Sequence, residues 1–249
     1  MTPLSVVVIT YNEEKNIRAA LESVRWADEI VVVDSSSTDG TPEICREFTE
    51  RVYQEEWRGS FSRQKTYAVG LAKNDWVFVL DADERITPSL AAEIQGLMEA
   101  GPDKAGYNCA RLNHFMGRAI IHGGWYPDYT IRLFDRRRGE FGDRAVHEAV
   151  AVRGEVGYLK NHMLHYTYDG ISDYLKRMER YCPLAAGELH KNGKKAGLCD
   201  LTLRPAFTFF KMLVLKQGFR DGMYGVVIAM LYAFYTFYKY AKLWELDRT

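Results

Sequence analysis

Three uninterrupted runs of β-branched and other apolar residues constrain the fold of this chain more than any other feature. They occupy residues 5–10, 29–34 and 76–81. None of them alternates between polar and apolar positions, which is typical of strands buried on both faces of a parallel sheet. Because helical patterns lie between the runs, we predict the order β-α-β-α-(β)-α-β-α over the first hundred residues. Right-handed crossovers then produce a doubly wound α/β sheet.

Signals for the start of a helix lie between these runs. Asn12 can cap a helix that extends to about Val24, and Thr41-Pro42 opens a second helix with proline in its first turn. Residues 62–72 have a helical pattern, and Pro88 starts a fourth helix that ends near Gly101. Each strand is therefore expected to be followed by a helical crossover.

Polar residues follow each of the three runs. They are Thr10 to Glu13, Asp34 to Asp39, and Asp81 to Glu84. Ligands of doubly wound sheets bind beyond the carboxyl ends of the strands. We therefore predict that these three clusters converge on one rim of the sheet.

Asp81 and Asp83 place two carboxylates one residue apart, directly after the third run. A hard divalent cation such as Mg²⁺ or Mn²⁺ takes oxygen ligands and commonly bridges protein carboxylates and substrate phosphates. The same pattern also fits a solvated turn before the helix at Pro88. Its place after a buried strand favours a metal site that would neutralise a diphosphate leaving group.

The segment from Asp34 to Thr41 joins an acid at a strand end to a series of small residues. The carboxylate can accept hydrogen bonds from a base N–H or from ribose hydroxyls, and the small residues let a ligand approach the backbone. Thr38 or Asp39 can equally cap the following helix. The two interpretations are compatible.

Charge and cysteine content narrow the classes of protein. Lysine plus arginine and aspartate plus glutamate number 33 each, so no net field attracts nucleic acid. The four cysteines form no C-x-x-C pair, which favours a reducing cytoplasmic setting over a zinc site or a disulfide framework. The sequence has neither a signal-peptide pattern nor the roughly 20 consecutive apolar residues of a membrane span.

The pattern changes after the first hundred residues. Residues 106–165 contain short mixed strands with many glycines and aromatic residues. This pattern is consistent with a second, less regular half of the domain that holds an acceptor substrate. Residues 204–246 are rich in phenylalanine, tyrosine and leucine with interspersed lysines. This composition suits a helix in a membrane interface, although a buried helix pair or a dimer interface also fits. We predict a domain at 1–170, with halves at 1–100 and 101–170, and a helical, membrane-interfacial extension at 171–249.

Three motifs in order, residues 8–13, 33–41 and 80–84, resemble the inverting family-2 glycosyltransferases of the GT-A fold. The resemblance implies a Rossmann-like, mostly parallel sheet flanked by helices, with a UDP-sugar donor and a divalent metal, Mg²⁺ or Mn²⁺. It also implies roles for individual positions. The nucleotide base would lie against Thr10, Tyr11 and Glu13, the uracil or ribose against Asp34, and the rest of the nucleotide near Arg63 and Lys65. Asp81 would contact ribose or the metal, and Asp83 would be the main metal ligand.

The middle of the chain extends the resemblance. Residues 122–134 resemble the acceptor-side glycine loop and the arginine-bearing strand of this family, which implies acceptor contacts for Gly124 and Trp125 and a donor contact for Arg132. Inverting transfer needs a base to take the proton of the acceptor hydroxyl.

The acidic base is expected at Val146-His147-Glu148. Glu148 is the predicted base, with Asp143 and Asp128 as alternatives and His147 on the acceptor side. His165 resembles the histidine that completes the metal site or contacts the diphosphate, although a purely structural histidine also fits.

The absence of a Gln-x-x-Arg-Trp motif favours transfer of a single sugar over polymerisation. Residues 117–132, 216–222 and 238–242 further resemble bacterial lipopolysaccharide core β-1,4-glucosyltransferases. That resemblance implies transfer of glucose to the heptose of a lipid-linked inner core, by an enzyme peripheral to the anionic inner face of the cytoplasmic membrane.

Other functions remain open at this point. A polyprenyl-phosphate glycosyltransferase would share the first 90 residues. A sugar nucleotidyltransferase is disfavoured because the loop after the first strand contains no glycine. An inactive scaffold is disfavoured by the intact Asp81/Asp83 pair and by Glu148.

Overall fold

The computed structural model describes residues 1–57, 59–142 and 150–248. The chain divides into two compact units. Unit 1 comprises Met1–Arg111 and Tyr129–His165, and unit 2 comprises Leu112–Asp128 and the chain from Tyr166 onward. The predicted domain boundary at residue 170 stays a prediction.

The first hundred residues follow the expected order of strands and helices, with one short strand added after the third long run. The elements are β1 (Leu4–Thr10), α1 (Ile17–Glu22), β2 (Glu29–Asp34), α2 (Thr41–Arg46), β3 (Val52–Gln54), α3 (Phe61–Leu71), β4 (Trp76–Asp81), β5 (Glu84–Ile86) and α4 (Pro88–Ala100).

Strands dominate the middle of the chain, as predicted, and helices dominate its end. The strands are β6 (Gly106–Phe115), β7 (Arg118–Ala119), β8 (Asp128–Asp135), β9 (Gly139–Phe141), β10 (Val150–Val152) and β11 (Val156–Tyr168). The helices are α5 (Ile171–Lys191), α6 (Leu198–Leu201), α7 (Leu203–Phe210), a π-helical turn (Lys211–Leu215), a 3₁₀ turn (Gly218–Asp221) and α8 (Met223–Leu246).

The main sheet has the strand order β3-β2-β1-β4-β8-β6-β11-β5. β1 pairs in parallel with both β2 and β4, and β2 pairs in parallel with β3. β4 pairs with β8 in antiparallel fashion, and so does β11 with β5. The registers align Thr10 with Asp34 and Ile9 with Asp81. The carboxyl ends of three strands therefore lie side by side, as the sequence predicted.

The absence of alternation in β1 has a direct structural cause. Val6 and Val8 belong to a core cluster on one face of the sheet, where α1, α2 and α4 pack. Val7 and Ile9 belong to a second cluster on the other face, together with Ala68 of α3. Both faces are buried, which explains why residues 6–9 of the strand are all apolar.

The first helix was predicted too long. α1 begins at Ile17, and Asn12 does not cap it. Asn12 has a left-handed backbone, with φ of 53°, and its Oδ1 accepts a hydrogen bond from the backbone N–H of Thr38. Its polar side chain satisfies the neighbouring loop, which leaves the chain irregular for four residues before the helix.

Unit 2 is built around α8. Its core includes Phe115, Trp125 and Met212, which pack with Ile228 and Ala229 of this helix. A second cluster joins Tyr174 and Cys182 of α5 to the tyrosines of α8. In the part of the chain that the structure describes, no helix combines the length and the apolarity needed to cross a membrane.

Candidate functional site

The loop after β2 is organised by its acid. Asp34 is almost fully buried, and its two carboxylate oxygens accept hydrogen bonds from the backbone N–H and the hydroxyl of Ser37, at 2.8 and 2.5 Å. The Ser37 hydroxyl oxygen accepts from the N–H of Asn12 at 2.8 Å. Hydrogen bonds through Ser37 thus connect the loop after β1 to the loop after β2. Asp34 fixes the conformation of the second loop by accepting two of these bonds.

The residues after β1 differ in exposure. Thr10 is buried and Tyr11 is 57% exposed, so the tyrosine ring is free to cover a planar base. The N–H of Glu13 donates to the Thr41 hydroxyl at 2.9 Å, and the Glu13 carboxylate accepts from the Asn16 side chain at 2.8 Å. These contacts hold the loop in place against α2. Contact of Thr10, Tyr11 and Glu13 with a nucleotide stays a prediction.

A buried cluster of charges lies at the end of β4. Asp81 is contacted by Lys65 of α3, at 2.9 Å, and by Arg132 of β8, at 2.7 Å. Arg132 also contacts Glu84, which is fully buried, at 2.5 Å. The second oxygen of Glu84 accepts from the backbone N–H of Asp81 at 2.9 Å. Two elements distant in sequence, α3 and β8, therefore hold the Asp81 carboxylate, and the nearby Glu84 holds its backbone N–H.

The charges of this cluster determine its protonation. Burial raises the pKa of Asp81, but the positive charges of Arg132 and Lys65 outweigh burial and hold it well below its ordinary value. Burial raises the pKa of Glu84 above its ordinary value, and the neighbouring Asp81 charge adds to the rise, while Arg132 opposes it. Asp81 is therefore ionised at neutral pH, and its charge is balanced within the cluster.

Asp83 lies beside His165 of β11, which pairs in register with Glu84 of the cluster. One carboxylate oxygen of Asp83 is 3.5 Å from Nε2 of His165. The structure thus brings together the two residues predicted as metal ligands. Among the described residues, no group of three or more histidine, cysteine or acidic side chains is arranged to hold a metal ion.

The Asp83 and His165 pair fits a cation that is shared with a substrate. Mg²⁺ and Mn²⁺ sites at phosphate-transfer centres often use only one or two protein ligands, with phosphates and water completing the coordination. The Asp83 carboxylate is an oxygen ligand of the kind that Mg²⁺ and Mn²⁺ prefer. Asp83 and His165 would hold the ion, and the diphosphate would supply further oxygens.

Three further residues with predicted roles are Arg63, Gly124 and Trp125. Arg63 is exposed in the first turn of α3, where its N–H donates to the capping hydroxyl of Ser60. Trp125 is 6% exposed, and its ring packs against Phe115 and Tyr168, so its contact with an acceptor stays a prediction. Gly124 has a left-handed backbone, with φ of 84°.

The predicted base cannot be placed. Glu148, His147 and the alternative base Asp143 lie outside the described residues. The other alternative, Asp128, accepts a hydrogen bond from the Asn113 amide at 3.3 Å. The choice among these acids stays a prediction.

Sequence reasoning missed two members of the charge cluster. Glu84 was considered only as the end of a motif, and Arg111, whose guanidinium lies 3.8 Å from Glu84, was not considered. Neither residue carries a local sequence signal for this role, because Glu84 begins a short strand that the sequence did not indicate and Arg111 lies on a separate element.

Comparison with known proteins agrees with this geometry. The family model described as "Glycosyl transferase family 2" matches residues 5–154, more than half of the chain. A lipopolysaccharide core biosynthesis glycosyltransferase, LpsC of Rhizobium meliloti, is 29% identical over 98% of this chain and 92% of its own length. An uncharacterized glycosyltransferase of Rickettsia felis is 30% identical, over 98% and 90% of the two chains.

Among solved structures, S. aureus TarS (residues 1–349) in complex with UDP-GlcNAc is similar with a TM-score of 0.52 and 16% identity. The match covers 99% of this chain and 92% of that one. At this identity the likeness concerns the fold alone. It confirms the predicted α/β architecture of the GT-A type with its C-terminal helices.

Proposed function

The chain belongs to glycosyl transferase family 2, and we propose that it transfers glucose from UDP-glucose, with inversion, to the heptose of a lipid-linked lipopolysaccharide inner core. The observation that carries this proposal is the arrangement at the end of β4, where Asp83 lies beside His165 and Asp81 is held by Lys65 and Arg132. The name of the Rhizobium meliloti relative supports the choice of acceptor.

Each part of the rim has a role in this reaction. Asp34 and the Ser37 loop receive the uridine, with Tyr11 over the base. Asp81 accepts from a ribose hydroxyl, and Lys65 and Arg132 hold its carboxylate in one orientation. Asp83 and His165 would hold a divalent cation, whose positive charge would stabilise a departing UDP. Glu148 takes the proton of the acceptor hydroxyl as that oxygen attacks the anomeric carbon.

UDP with Mn²⁺ is expected to raise the melting temperature of the protein by about 5 °C or more. A ligand at 100 times its Kd stabilises the native state by about 2.7 kcal/mol, and each kcal/mol moves the melting temperature of a domain this size by about 2–4 °C. Differential scanning fluorimetry with UDP, with and without Mn²⁺, measures this shift.

GDP is the control nucleotide, and its shift is expected to stay below about 1 °C. The Glu148→Gln variant should keep the UDP shift and lose sugar transfer, because the base does not contact the nucleotide. If GDP stabilises the protein and UDP does not, the donor assignment is wrong.

A second part of the proposal concerns the tail surface, which we define as the exposed apolar side chains between residues 198 and 223. They are Leu198, Leu203, Phe207, Phe210, Val214, Leu215, Phe219 and Met223. Residues 203, 207, 210 and 214 recur at helical spacing, which places them on one face. Residues 201–220 contain four basic and no acidic residues. Exposed apolar side chains with basic neighbours fit the interface of an anionic bilayer.

We therefore propose that the tail surface binds the inner face of the cytoplasmic membrane, where a lipid-linked acceptor would be presented. The double variant Phe207→Ser/Phe219→Ser is expected to lower binding to vesicles by at least about tenfold, since each phenylalanine withdrawn from an apolar phase costs about 1.5–3 kcal/mol. Sedimentation with vesicles of equal parts phosphatidylglycerol and phosphatidylcholine measures the bound fraction.

Leu184→Ser is the matched control, because Leu184 is an exposed leucine of α5 outside the tail surface. It should leave the bound fraction within about twofold of the wild type. Equal binding by the wild type and the double variant would show that the tail surface does not contact the bilayer.

A further inference from the structure

Unit 2 contains a cavity of about 280 Å³ between the loop that follows β7 and the turn that precedes the 3₁₀ segment. It is lined by Ile121, His122, Gly124, Tyr126, Leu215, Lys216 and Gln217. Only Gly124 among these has a predicted role. The other residues that line the cavity have no role in the proposed reaction so far.

His122 is held in place by a buried carboxylate. Asp221 is 4% exposed, and its two oxygens accept from the backbone N–H of His122 at 2.9 Å and from its ring Nδ1 at 3.0 Å. With Nδ1 occupied, Nε2 is the ring atom available for another partner. Within residues 1–57, 59–142 and 150–248, no hydrogen bond engages this Nε2.

The backbone around the cavity is unusual in several places. Gln217 has a left-handed backbone conformation, with φ of 56°. It is separated from the π-helical turn by one residue, Lys216. The N–H of Gly123 donates to the carbonyl of Lys216 at 2.8 Å. A Cβ at Gly218 would lie 2.7 Å from the carbonyl oxygen of Met212. Strained residues and π-helical turns persist where the surrounding structure holds them, and they are concentrated at functional sites.

The lining of the cavity favours a negatively charged ligand. Lys216 is exposed and carries a positive charge, and the Gln217 amide offers hydrogen-bond donors. Because Nδ1 of His122 already donates to Asp221, Nε2 donates to a ligand in the imidazolium form of the ring. None of the described residues that line the cavity is acidic. The nearby Asp221 is occupied by two bonds to His122. An oxyanion would find complementary charge here, whereas a cation would not.

We propose that this cavity binds an oxyanion substituent of the acceptor, a phosphate or a carboxylate, through Lys216 and Nε2 of His122. The inference rests on the proposed function, because it concerns the acceptor of that reaction. Asp221 is a positioning residue that orients the imidazole, and Gln217 holds the turn that presents Lys216. The substrate class is thereby narrowed to an acceptor that carries a negatively charged group.

Histidine ring NMR tests this proposal, because the chain has only six histidines. Inorganic phosphate and, separately, acetate are titrated at constant ionic strength with excess UDP and Mg²⁺, which occupy the donor site. The signal of His122 is identified by its loss in His122→Asn, whose amide still donates to Asp221. At least one of the two anions is expected to shift this signal with saturation.

Lys216→Gln is expected to weaken the apparent affinity for the anion about threefold to fivefold, the range of an exposed ion pair. Lys176→Gln removes the same charge from an exposed position of α5 and should leave the affinity unchanged. The proposal is overturned if neither anion shifts the His122 signal, or if Lys216→Gln binds the anion as tightly as the wild type.

The UDP-dependent rise in melting temperature is measured on the same samples. A normal UDP shift without a response of His122 rejects the oxyanion site and leaves the proposed function standing. A response of His122 without any UDP shift rejects the UDP donor and leaves the oxyanion site standing.

Discussion

Replacement of Asp83 by alanine is expected to lower the rate of UDP release from UDP-glucose by at least about a thousandfold. The cation that Asp83 would hold contributes several kcal/mol to stabilisation of the departing diphosphate, and each 1.36 kcal/mol corresponds to a factor of ten in rate. The same variant should lose the part of the UDP-dependent thermal shift that requires Mn²⁺.

The two readouts separate metal binding from folding. Asp83 is a rim residue, so the variant should melt close to the wild type without ligand. Asp169→Ala is the matched control, because Asp169 is exposed and lies outside the site. A variant at Asp83 that keeps the full Mn²⁺-dependent shift would show that the metal is bound elsewhere.

Glu84→Ala is expected to destabilise the protein by about 3 kcal/mol and to lower its melting temperature by about 6–12 °C. The carboxylate is fully buried between Arg132 and the backbone N–H of Asp81. Its removal leaves Arg132 with only Asp81 as a partner and leaves a buried N–H without an acceptor. Thermal denaturation measures the change.

An exposed arginine–glutamate pair supplies the control. Glu43 contacts Arg46 on α2 at 3.3 Å, with both side chains largely in solvent. Glu43→Ala should cost about 0.5 kcal/mol or less. The double variant Glu84→Leu/Arg132→Met removes both buried charges, so it should be more stable than Glu84→Ala. Equal melting temperatures for the Glu84 and Glu43 variants would contradict the buried role of Glu84.

The parallel half of the fold was predictable because its signal is local. The runs at β1, β2 and β4 are continuously apolar over residues 6–9, 30–33 and 76–80, and the structure buries both faces of these strands. Parallel pairing then forces the ends of the runs onto one rim. Parallel pairing of the three runs is therefore enough to predict that Thr10, Asp34 and Asp81 lie at the same edge of the sheet, as the registers confirm.

The charge cluster was predictable only in part, because its members lie on separate elements. Asp81 was identified from its position after β4, and Lys65 and Arg132 were identified through a family resemblance, but the contact of Arg132 with Asp81 depends on the antiparallel pairing of β4 with β8. Nothing local in the sequence indicates that pairing. Glu84 and Arg111 were missed for the same reason, since a buried ion pair is a property of two elements and not of either one.

A local signal also misled in one case. Asn12 has a side chain typical of a helix cap, yet its Oδ1 accepts a hydrogen bond from the N–H of Thr38. The helix begins at Ile17, four residues later than the cap at Asn12 predicts. A long-range partner competed with the local interpretation of Asn12 and prevailed. Trp125 packs against Phe115, and its contact with an acceptor stays a prediction.

The bond between His122 and Asp221 joins residues that are 99 positions apart in the chain. Deletion of the C-terminal segment would therefore remove more than the tail surface, because the loop at His122 would lose its anchor. A chimaera that exchanges this segment with that of a relative should preserve the loop only if an acid is retained at position 221. The helical end of this chain is thus not a detachable module, because the loop at His122 depends on it.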